Sequence, residues 1–263
     1  MSKKFKPKYS RVAQLKTAED LRSYLEKGNI DLSFDEDLIL GPESPYRKSF
    51  ILNSGQEIGN RFSILPMEGW DGTTAGNPTD YTRRRWKNFA LSGAKLLWGG
   101  EAFAVAPEGR ANPNQLMARK ENFSELKGLK NLIFDTHHSQ FGKTDDLYLG
   151  MQLTHSGRFC KPYDKMKAEP RIVYNHPILD KKFGITDDSI ILSDAEIDNL
   201  IVQYVESAKL AQKAGFNFVD VKHCHGYLGH EILSGYYREG KYGGSFENRT
   251  RFLRDIVAGI RAE

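Results

Sequence analysis

The sequence has few cysteines and no long apolar run, and each of these absences excludes a class of protein. Two cysteines among 263 residues, Cys160 and Cys224, are too few for the disulfide framework of a secreted domain and are typical of a reducing compartment. No apolar stretch reaches the roughly 18 residues that a membrane-spanning helix needs. The basic start of the chain, MSKKFKPKYS, lacks the apolar segment of a signal peptide. We therefore expect a cytoplasmic protein.

The sequence also lacks a large excess of one charge. The formal net charge is +4, and the basic and acidic residues are interspersed. One dense basic cluster, RRRWK at residues 83–87, falls in a predicted helix and is interpreted as a solvated helix face. These features predict no nucleic-acid partner, and the lack of a long apolar run predicts no membrane partner.

A repeated pattern of apolar strand and amphipathic helix organises most of the chain. Residues 1–50 are polar, with a helical patch at 17–27, and we interpret them as an N-terminal extension to a body at 51–263. Strands are predicted at 62–67, within 94–105, at 147–155 and at 216–222. Helices are predicted at 79–92, in the first half of 126–143, between a capping box at Ser193 and a stop at Gly215, and after Ser245. Residues 156–190 are predicted to be a long loop.

This alternation predicts an α/β fold with a parallel sheet and helices outside it. The loops that follow the strands are long and rich in polar residues, whereas the connections from helix to strand are short. That asymmetry favours a (β/α)8 TIM-barrel type over an open doubly wound sheet. About the first four β/α units are present, so residues 51–263 are predicted to be the N-terminal half of such a barrel.

Titratable side chains cluster where the fourth predicted strand ends, in the stretch VDVKHCHGYLGHEIL at 219–233. Barrel enzymes place their sites on the loops after the strands. From the residue types alone, a zinc site and a Schiff-base lyase that uses Lys222 remain alternatives. Cys224 is interpreted as a small buried residue. Gln152 lies inside the apolar third strand, where an amide needs a partner, either in the core or on a ligand.

Several motifs, in order and in register, resemble the old yellow enzyme and NADH:flavin oxidoreductase family, which includes FMN-dependent ene-reductases and 2,4-dienoyl-CoA reductase-like enzymes. The resemblance covers about residues 57–263 and implies FMN as cofactor, NADH or NADPH as reductant, and hydride transfer to an activated C=C bond of an enone or enoyl-type substrate. The motifs are Asn60-Arg61, Pro66-Met67, Glu101-Ala102, PEGR at 107–110, MQLTHSGR at 151–158, HGYLGHEILS at 225–234 and YGGSFENRTRF at 242–252.

The resemblance also implies a role for individual residues. Lys222 and His225 would hold the substrate oxygen, Tyr227 would be the proton donor, and Trp70 would lie over the substrate, with core packing as an equal alternative for Trp70. The residues implied to contact the flavin are Leu65, Pro66, Met67, Glu68, Ala102 and Gln152.

Two of these positions depart from the family pattern. Lys222 stands where the family usually has histidine, and Glu68 stands where it often has a small or sulfur-bearing residue. A lysine there favours a carboxylate-bearing substrate or a different reaction. A carboxylate beside the flavin needs a partner, so we hypothesise that Glu68 and Lys222 form an ion pair across the flavin site.

The family places further flavin contacts on strands beyond the fourth, including an arginine near the ring and the loops that hold the phosphate. From this we expect, as an alternative to an active oxidoreductase, a truncated and inert half-barrel fragment or a partner subunit. Exposed sheet edges would favour self-association or pairing with a complementing half-barrel.

Overall fold

The computed structural model describes residues 9–263, and the chain divides into two compact units, Met1–Arg47 and Lys48–Glu263. Residues 1–8 of the predicted extension lie outside the described residues. In the first unit, helix α1 (Ala18–Gly28) begins where the Thr17 side chain accepts a hydrogen bond from the Asp20 N–H at 3.1 Å. It ends at Asn29 in the left-handed conformation.

The second unit contains seven strands and six helices within the described range. The strands are β1 (Phe50–Ile51), β2 (Glu57–Ile58), β3 (Ser63–Ile64), β4 (Leu96–Leu97), β5 (Ala102–Ala104), β6 (Tyr148–Thr154) and β7 (Phe218–Val221). The helices are α2 (Asp80–Leu91), α3 (Phe123–Phe141), α4 (Pro177–Phe183), α5 (Asp194–Ala214), α6 (Leu228–Leu233) and α7 (Phe246–Ala262).

The predicted parallel sheet is confirmed. Strands β3, β4, β6 and β7 are neighbours in that order, β5 also pairs with β6, and every one of these pairings is parallel. Strands β1 and β2 form a separate antiparallel pair. With α2, α3, α5 and α7 following successive parallel strands, the unit is α/β of the (β/α)8 barrel type with four β/α units.

The second predicted strand, within 94–105, is two strands rather than one. Residues 98–101 leave the ladder between β4 and β5, and Gly99 and Gly100 there have φ of 94° and 44°. A Cβ on Gly99 would lie 2.8 Å from the Gln152 backbone nitrogen, so only glycine allows this close approach. The bend separates β4 from β5, which resumes pairing with β6 at Ala102 opposite Gln152.

Three other boundaries differ from the prediction. The apolar run at 62–67 forms a strand only at β3, because β3 pairs with β4 alone among the described strands and residues 65–70 leave the sheet. Helix α3 extends to Phe141 rather than ending in the first half of its segment, because buried His137 anchors its last turns. The predicted loop at 156–190 contains α4, and α6 was not predicted.

The core lies between the sheet and the helices. Trp86 of α2 meets Phe103 of β5 edge-on, with ring centroids 6.1 Å apart. Tyr204 of α5 meets Phe252 of α7 in the same way at 5.7 Å. These four side chains are fully buried, and each large ring contributes on the order of 2–3 kcal/mol through its removal from water. They fix the helices against the strands whose carboxyl ends carry the polar side chains.

A buried polar cluster lies at the amino ends of β4 and β6. Lys95 Nζ is 2.7 Å from Asp146 Oδ1 and 2.9 Å from His137 Nε2. The other His137 nitrogen, Nδ1, is 2.9 Å from the Ala90 carbonyl oxygen. The predicted helix in the first half of 126–143 did not reach His137; this residue lies in α3 and joins that helix to the sheet. Over residues 9–263, no helix combines the length and apolar character needed to cross a membrane.

Candidate active site

The side chains singled out in the sequence lie near the carboxyl ends of β3, β6 and β7 and, in register with Gln152 of β6, at the start of β5. The segment 65–70 follows β3, Ala102 opens β5, Gln152 lies in β6, and the segment 222–227 follows β7. Gln152 is paired in register with Ala102 on one side and with Asp220 on the other. The parallel topology therefore brings residues from four separate parts of the sequence to one edge of the sheet.

Lys222 and Glu68 form an ion pair, as hypothesised from the sequence. The Lys222 N–H extends the ladder by donating to the Leu153 carbonyl at 3.0 Å, which fixes the lysine at the tip of the sheet. Its Nζ lies 2.6 Å from Glu68 Oε1. The two side chains are only 5% and 9% exposed, so little solvent screens the pair.

The Glu68 carboxylate accepts hydrogen bonds from two further side chains. Tyr227 Oη donates to Glu68 Oε2 at 3.1 Å, and Trp70 Nε1 donates to the same oxygen at 3.1 Å. The Lys222 ammonium also lies 4.4 Å from the centroid of the Tyr227 ring. Lys222 and Tyr227, which the resemblance implies as substrate-oxygen donor and acid, are thus brought together on one carboxylate.

The environment of Tyr227 keeps its hydroxyl protonated. Burial of the side chain raises the pKa of the phenol well above its usual value, and the Glu68 carboxylate raises this pKa further by its charge and by accepting the hydrogen bond. The ring also packs 5.7 Å from the Phe159 ring. A neutral, positioned hydroxyl is the state that a proton donor needs before it reacts.

His225 and Cys224 lie in the exposed part of the turn after β7. His225 has φ of 60° and Gly226 has φ of 69°, so two consecutive residues are left-handed and the chain reverses sharply before α6. The His225 ring is 6.1 Å from the Tyr227 ring and is exposed. Cys224 is exposed too, so its prediction as a buried residue was wrong: it belongs to this turn and not to the strand.

Gln152 finds its partner within the protein. Its Nε2 donates to Asp220 Oδ2 at 2.6 Å, which fixes the orientation of the amide at the site edge. Ala102 is 1% exposed, and its carbonyl oxygen accepts from Gln115 Nε2 at 2.9 Å. Both residues implied to contact the flavin from β5 and β6 therefore have fixed positions.

The segment after β3 presents apolar side chains to solvent. Leu65 is 69% exposed and Met67 is 73% exposed, with Pro66 half-buried between them. Trp70 is 47% exposed and has φ of 49°, an uncommon backbone conformation for an aromatic residue. Trp70 is not packed in the core of this chain, and its position in this segment is compatible with a ligand contact.

Sequence reasoning missed the network that holds this segment in place. Glu101, 1% exposed, accepts the Gly69 N–H on Oε1 at 2.7 Å and pairs with Arg85 Nη2 through Oε2 at 2.5 Å. Arg85 also contacts Asp71 at 2.9 Å. The cluster at 83–87 is therefore only partly a solvated face. The sequence did contain one signal of this network: Glu101 is the only carboxylate within the apolar stretch at 94–105.

The position of Glu101 has an electrostatic consequence. Burial raises the pKa of its carboxyl to about 7, although Arg85 and the Gly69 N–H both act to lower it. Glu101 is thus a carboxyl that changes protonation near neutral pH while bonded to the backbone between Glu68 and Trp70.

The alternative chemistries gain no support from the geometry. Across the part of the chain that the structure describes, no three His, Cys, Asp or Glu side chains are grouped so as to hold a metal ion. Lys222 Nζ is engaged by Glu68, which is a poor arrangement for a nucleophilic amine.

Comparison with known proteins agrees with the motifs. The family described as NADH:flavin oxidoreductase / NADH oxidase matches residues 52–263. An NADPH dehydrogenase of Clostridium acetobutylicum is 29% identical over 204 residues, which cover 77% of this chain and 56% of that protein. The chain thus spans a little over half the length of this relative.

Solved structures show the same fold at low sequence identity. The old yellow enzyme from Pichia sp. AKU4542 superposes with a TM-score of 0.62 at 23% identity, over 84% of this chain and 57% of that one. Morphinone reductase gives 0.64 at 21% identity, over 82% and 58%. Both likenesses support the barrel architecture.

Proposed function

We infer a function for this chain from its membership of the NADH:flavin oxidoreductase / NADH oxidase family. We propose that it is the half of an oxidoreductase that binds FMN and orients the substrate. The enzyme would use NADH or NADPH to reduce an activated C=C bond. The observation that carries the proposal is the convergence of Lys222 and Tyr227 on one pair of oxygens at the sheet edge that holds Gln152. A hydrogen-bond donor and a protonated acid beside one oxygen site are what alkene reduction next to a carbonyl requires.

The residues present fit the ring of FMN. A flat aromatic ring needs apolar contacts on its faces and polar groups at its pyrimidine edge. Leu65 and Met67 are apolar and exposed, and the Gln152 amide is oriented by Asp220. Ala102 lies next to Gln152 in register. We propose that these residues, with Pro66 and Glu68, hold the ring, as the family resemblance implies.

FMN, when bound, would supply the hydride chemistry by taking a hydride from NADH or NADPH and giving it to the substrate. The protein would supply orientation and a proton. Lys222, with His225 as a second donor, would bind the carbonyl oxygen of the substrate, where negative charge develops; one such donor contributes about 3–4 kcal/mol in an enclosed site. Tyr227 would give its hydroxyl proton to the carbon next to that carbonyl.

Titration of the full chain with FMN tests the cofactor assignment, with quenching of flavin fluorescence as the readout. We expect saturable binding. Gln152→Leu, which keeps the volume and removes the amide, should weaken binding about tenfold. The matched control is Gln212→Leu on the exposed face of α5, which should leave the affinity unchanged. A chain that binds no FMN would overturn the proposed function.

Glu68 gives a second readout on the loaded protein. Its carboxylate opposes negative charge on a neighbouring ring, whereas Lys222 favours it. Glu68→Gln should therefore raise the reduction potential of the bound flavin, measured against a reference dye. An unchanged potential would remove Glu68 from the flavin contacts.

A further inference from the structure

Glu68 occupies the donors that the substrate is proposed to use. Lys222 Nζ contacts its Oε1 at 2.6 Å, and Tyr227 Oη and Trp70 Nε1 each contact its Oε2 at 3.1 Å. Three side chains from two loops thus form a carboxylate-binding set, and the carboxylate bound there belongs to the chain itself. A substrate oxygen has to share these donors with Glu68 or displace it.

The acidic side chains around this set outnumber the cations. The Lys222 ammonium is paired with Glu68, and both side chains are less than a tenth exposed. Asp220, hydrogen-bonded to Gln152 at the same edge, adds a further carboxylate. The nearby Arg85 guanidinium forms ion pairs with two acidic side chains, Asp71 and Glu101. No positive charge in this group is left over to attract an anionic substrate.

We propose that Glu68 determines the charge class of the substrate, an inference that rests on the proposed function. With Glu68 present, the site accepts neutral carbonyl compounds such as esters and enones and rejects carboxylates, because an entering carboxylate meets a like charge and a lysine that is already neutralised. Without the Glu68 charge, Lys222, Tyr227 and Trp70 are free to bind an external carboxylate. This reverses the expectation that Lys222 by itself favours carboxylate substrates.

The test compares two ligands with the same skeleton, methyl trans-cinnamate and trans-cinnamate, by isothermal titration calorimetry on the full chain with and without saturating FMN. The wild type should bind the ester more tightly than the acid. Glu68→Gln should gain at least about tenfold in affinity for cinnamate, as expected for a newly available buried charge partner. Its affinity for the ester should change less than about threefold, because the ester gains no charge interaction.

Two variants isolate the cause of that gain. Asp220→Asn removes a carboxylate from the same edge without touching Lys222, so its gain for cinnamate should stay below about threefold. The double variant Glu68→Gln/Lys222→Gln should lose the gain entirely. Glu68→Ser replaces Glu68→Gln if circular dichroism shows that the glutamine variant does not fold.

The inference is overturned if the wild type binds cinnamate as tightly as its ester, if Glu68→Gln binds cinnamate no better than the wild type, or if the double variant keeps the gain. Absence of binding of both ligands by every variant overturns it as well. A failure of FMN binding with the expected ligand preference intact would overturn only the proposed function, so the two failures are distinguishable.

Discussion

The two ends of the parallel sheet each bury a lysine against a carboxylate, at nearly the same distance. Lys95 Nζ lies 2.7 Å from Asp146 Oδ1 at the amino ends, and Lys222 Nζ lies 2.6 Å from Glu68 Oε1 at the carboxyl ends. Side-chain exposure is at most 10% in all four residues. The two pairs are therefore alike in distance and burial. They differ in the residues that surround them.

At the amino ends the pair is enclosed. Asp146 accepts from Lys143 at 3.0 Å, and its carbonyl accepts the Gly59 N–H at 3.0 Å. A Cβ on Gly59 would lie 2.1 Å from Asp146 Oδ2, so a larger residue at position 59 would displace the Asp146 carboxylate. At the carboxyl ends Glu68 lies between exposed apolar side chains in a segment without regular structure. We propose that the pair at the amino ends serves stability and that the pair at the carboxyl ends, which lies beside exposed apolar side chains, serves binding.

The largest expected effect is kinetic and belongs to the carboxyl end. If Tyr227 is the proton donor that we propose, Tyr227→Phe should lower the rate of alkene reduction by about 10²–10⁴-fold. Reduction of the flavin by NADPH, measured separately by stopped flow, should change little. Tyr242→Phe is the matched control, since Tyr242 is also a buried phenol that donates to a carboxylate, Asp198, away from the site. Equal losses in the two variants would break the comparison.

The next effect is thermodynamic and belongs to the amino end. Lys95→Met should lower the free energy of unfolding by about 3 kcal/mol, because buried Asp146 then keeps only the exposed Lys143 as a charged partner. Lys222→Met should cost less, about 1 kcal/mol, since Glu68 keeps two donors and lies in a segment that can relax towards solvent. Urea unfolding measures both; a larger loss for Lys222→Met than for Lys95→Met would contradict the assignment.

A smaller expected effect is that the two ends of the sheet change the free energy of unfolding with pH in opposite directions. Burial raises the pKa of Glu101 to about 7, so between its ordinary value near 4.5 and 7 the folded state holds a proton that the unfolded state has lost. The stability contributed by this proton is complete at lower pH and is lost as pH rises, with a slope of at most about 1.4 kcal/mol per pH unit. Glu101→Gln should flatten this slope in urea unfolding at stepped pH; an unchanged slope would show that Glu101 does not titrate there.

The smallest effect is the opposite pH dependence at the amino end. Burial opposes the ionisation of Asp146, but hydrogen bonds from Lys95 and Lys143 outweigh it and hold the pKa of this carboxyl below its ordinary value. Its contribution to stability is therefore present above pH 3.9 or so and is lost as pH falls through the folded pKa. Asp146→Asn should weaken the acid-induced loss. A variant that unfolds with the same acid profile as the wild type would exclude this role.

Much of the fold was predictable because it depends on periodic patterns. The capping box at Ser193 and the stop at Gly215 gave the limits of α5 directly. Parallel strands followed from the alternation of β and α segments. The break between β4 and β5 was not predictable, because it depends on the closeness of Gly99 to Gln152, two residues far apart in sequence.

The site was predictable where a motif fixed it and not where tertiary contacts did. Motifs identified Lys222, Tyr227 and Gln152. The ion pair between Lys222 and Glu68 was predicted because a carboxylate at this position needs a positive partner, and the pair is confirmed. The roles of these residues stay predictions. Glu101 and Arg85 were missed as a unit because their contact joins a strand end to a helix face, a relation that no local pattern encodes.

Amide hydrogen exchange with and without FMN tests most directly whether the open end is the binding end. We expect slower exchange at 65–70 and 222–228 when FMN is added, and no change around Lys95 and Asp146. Protection at the amino ends of the strands, or at neither end in the presence of bound FMN, would contradict it.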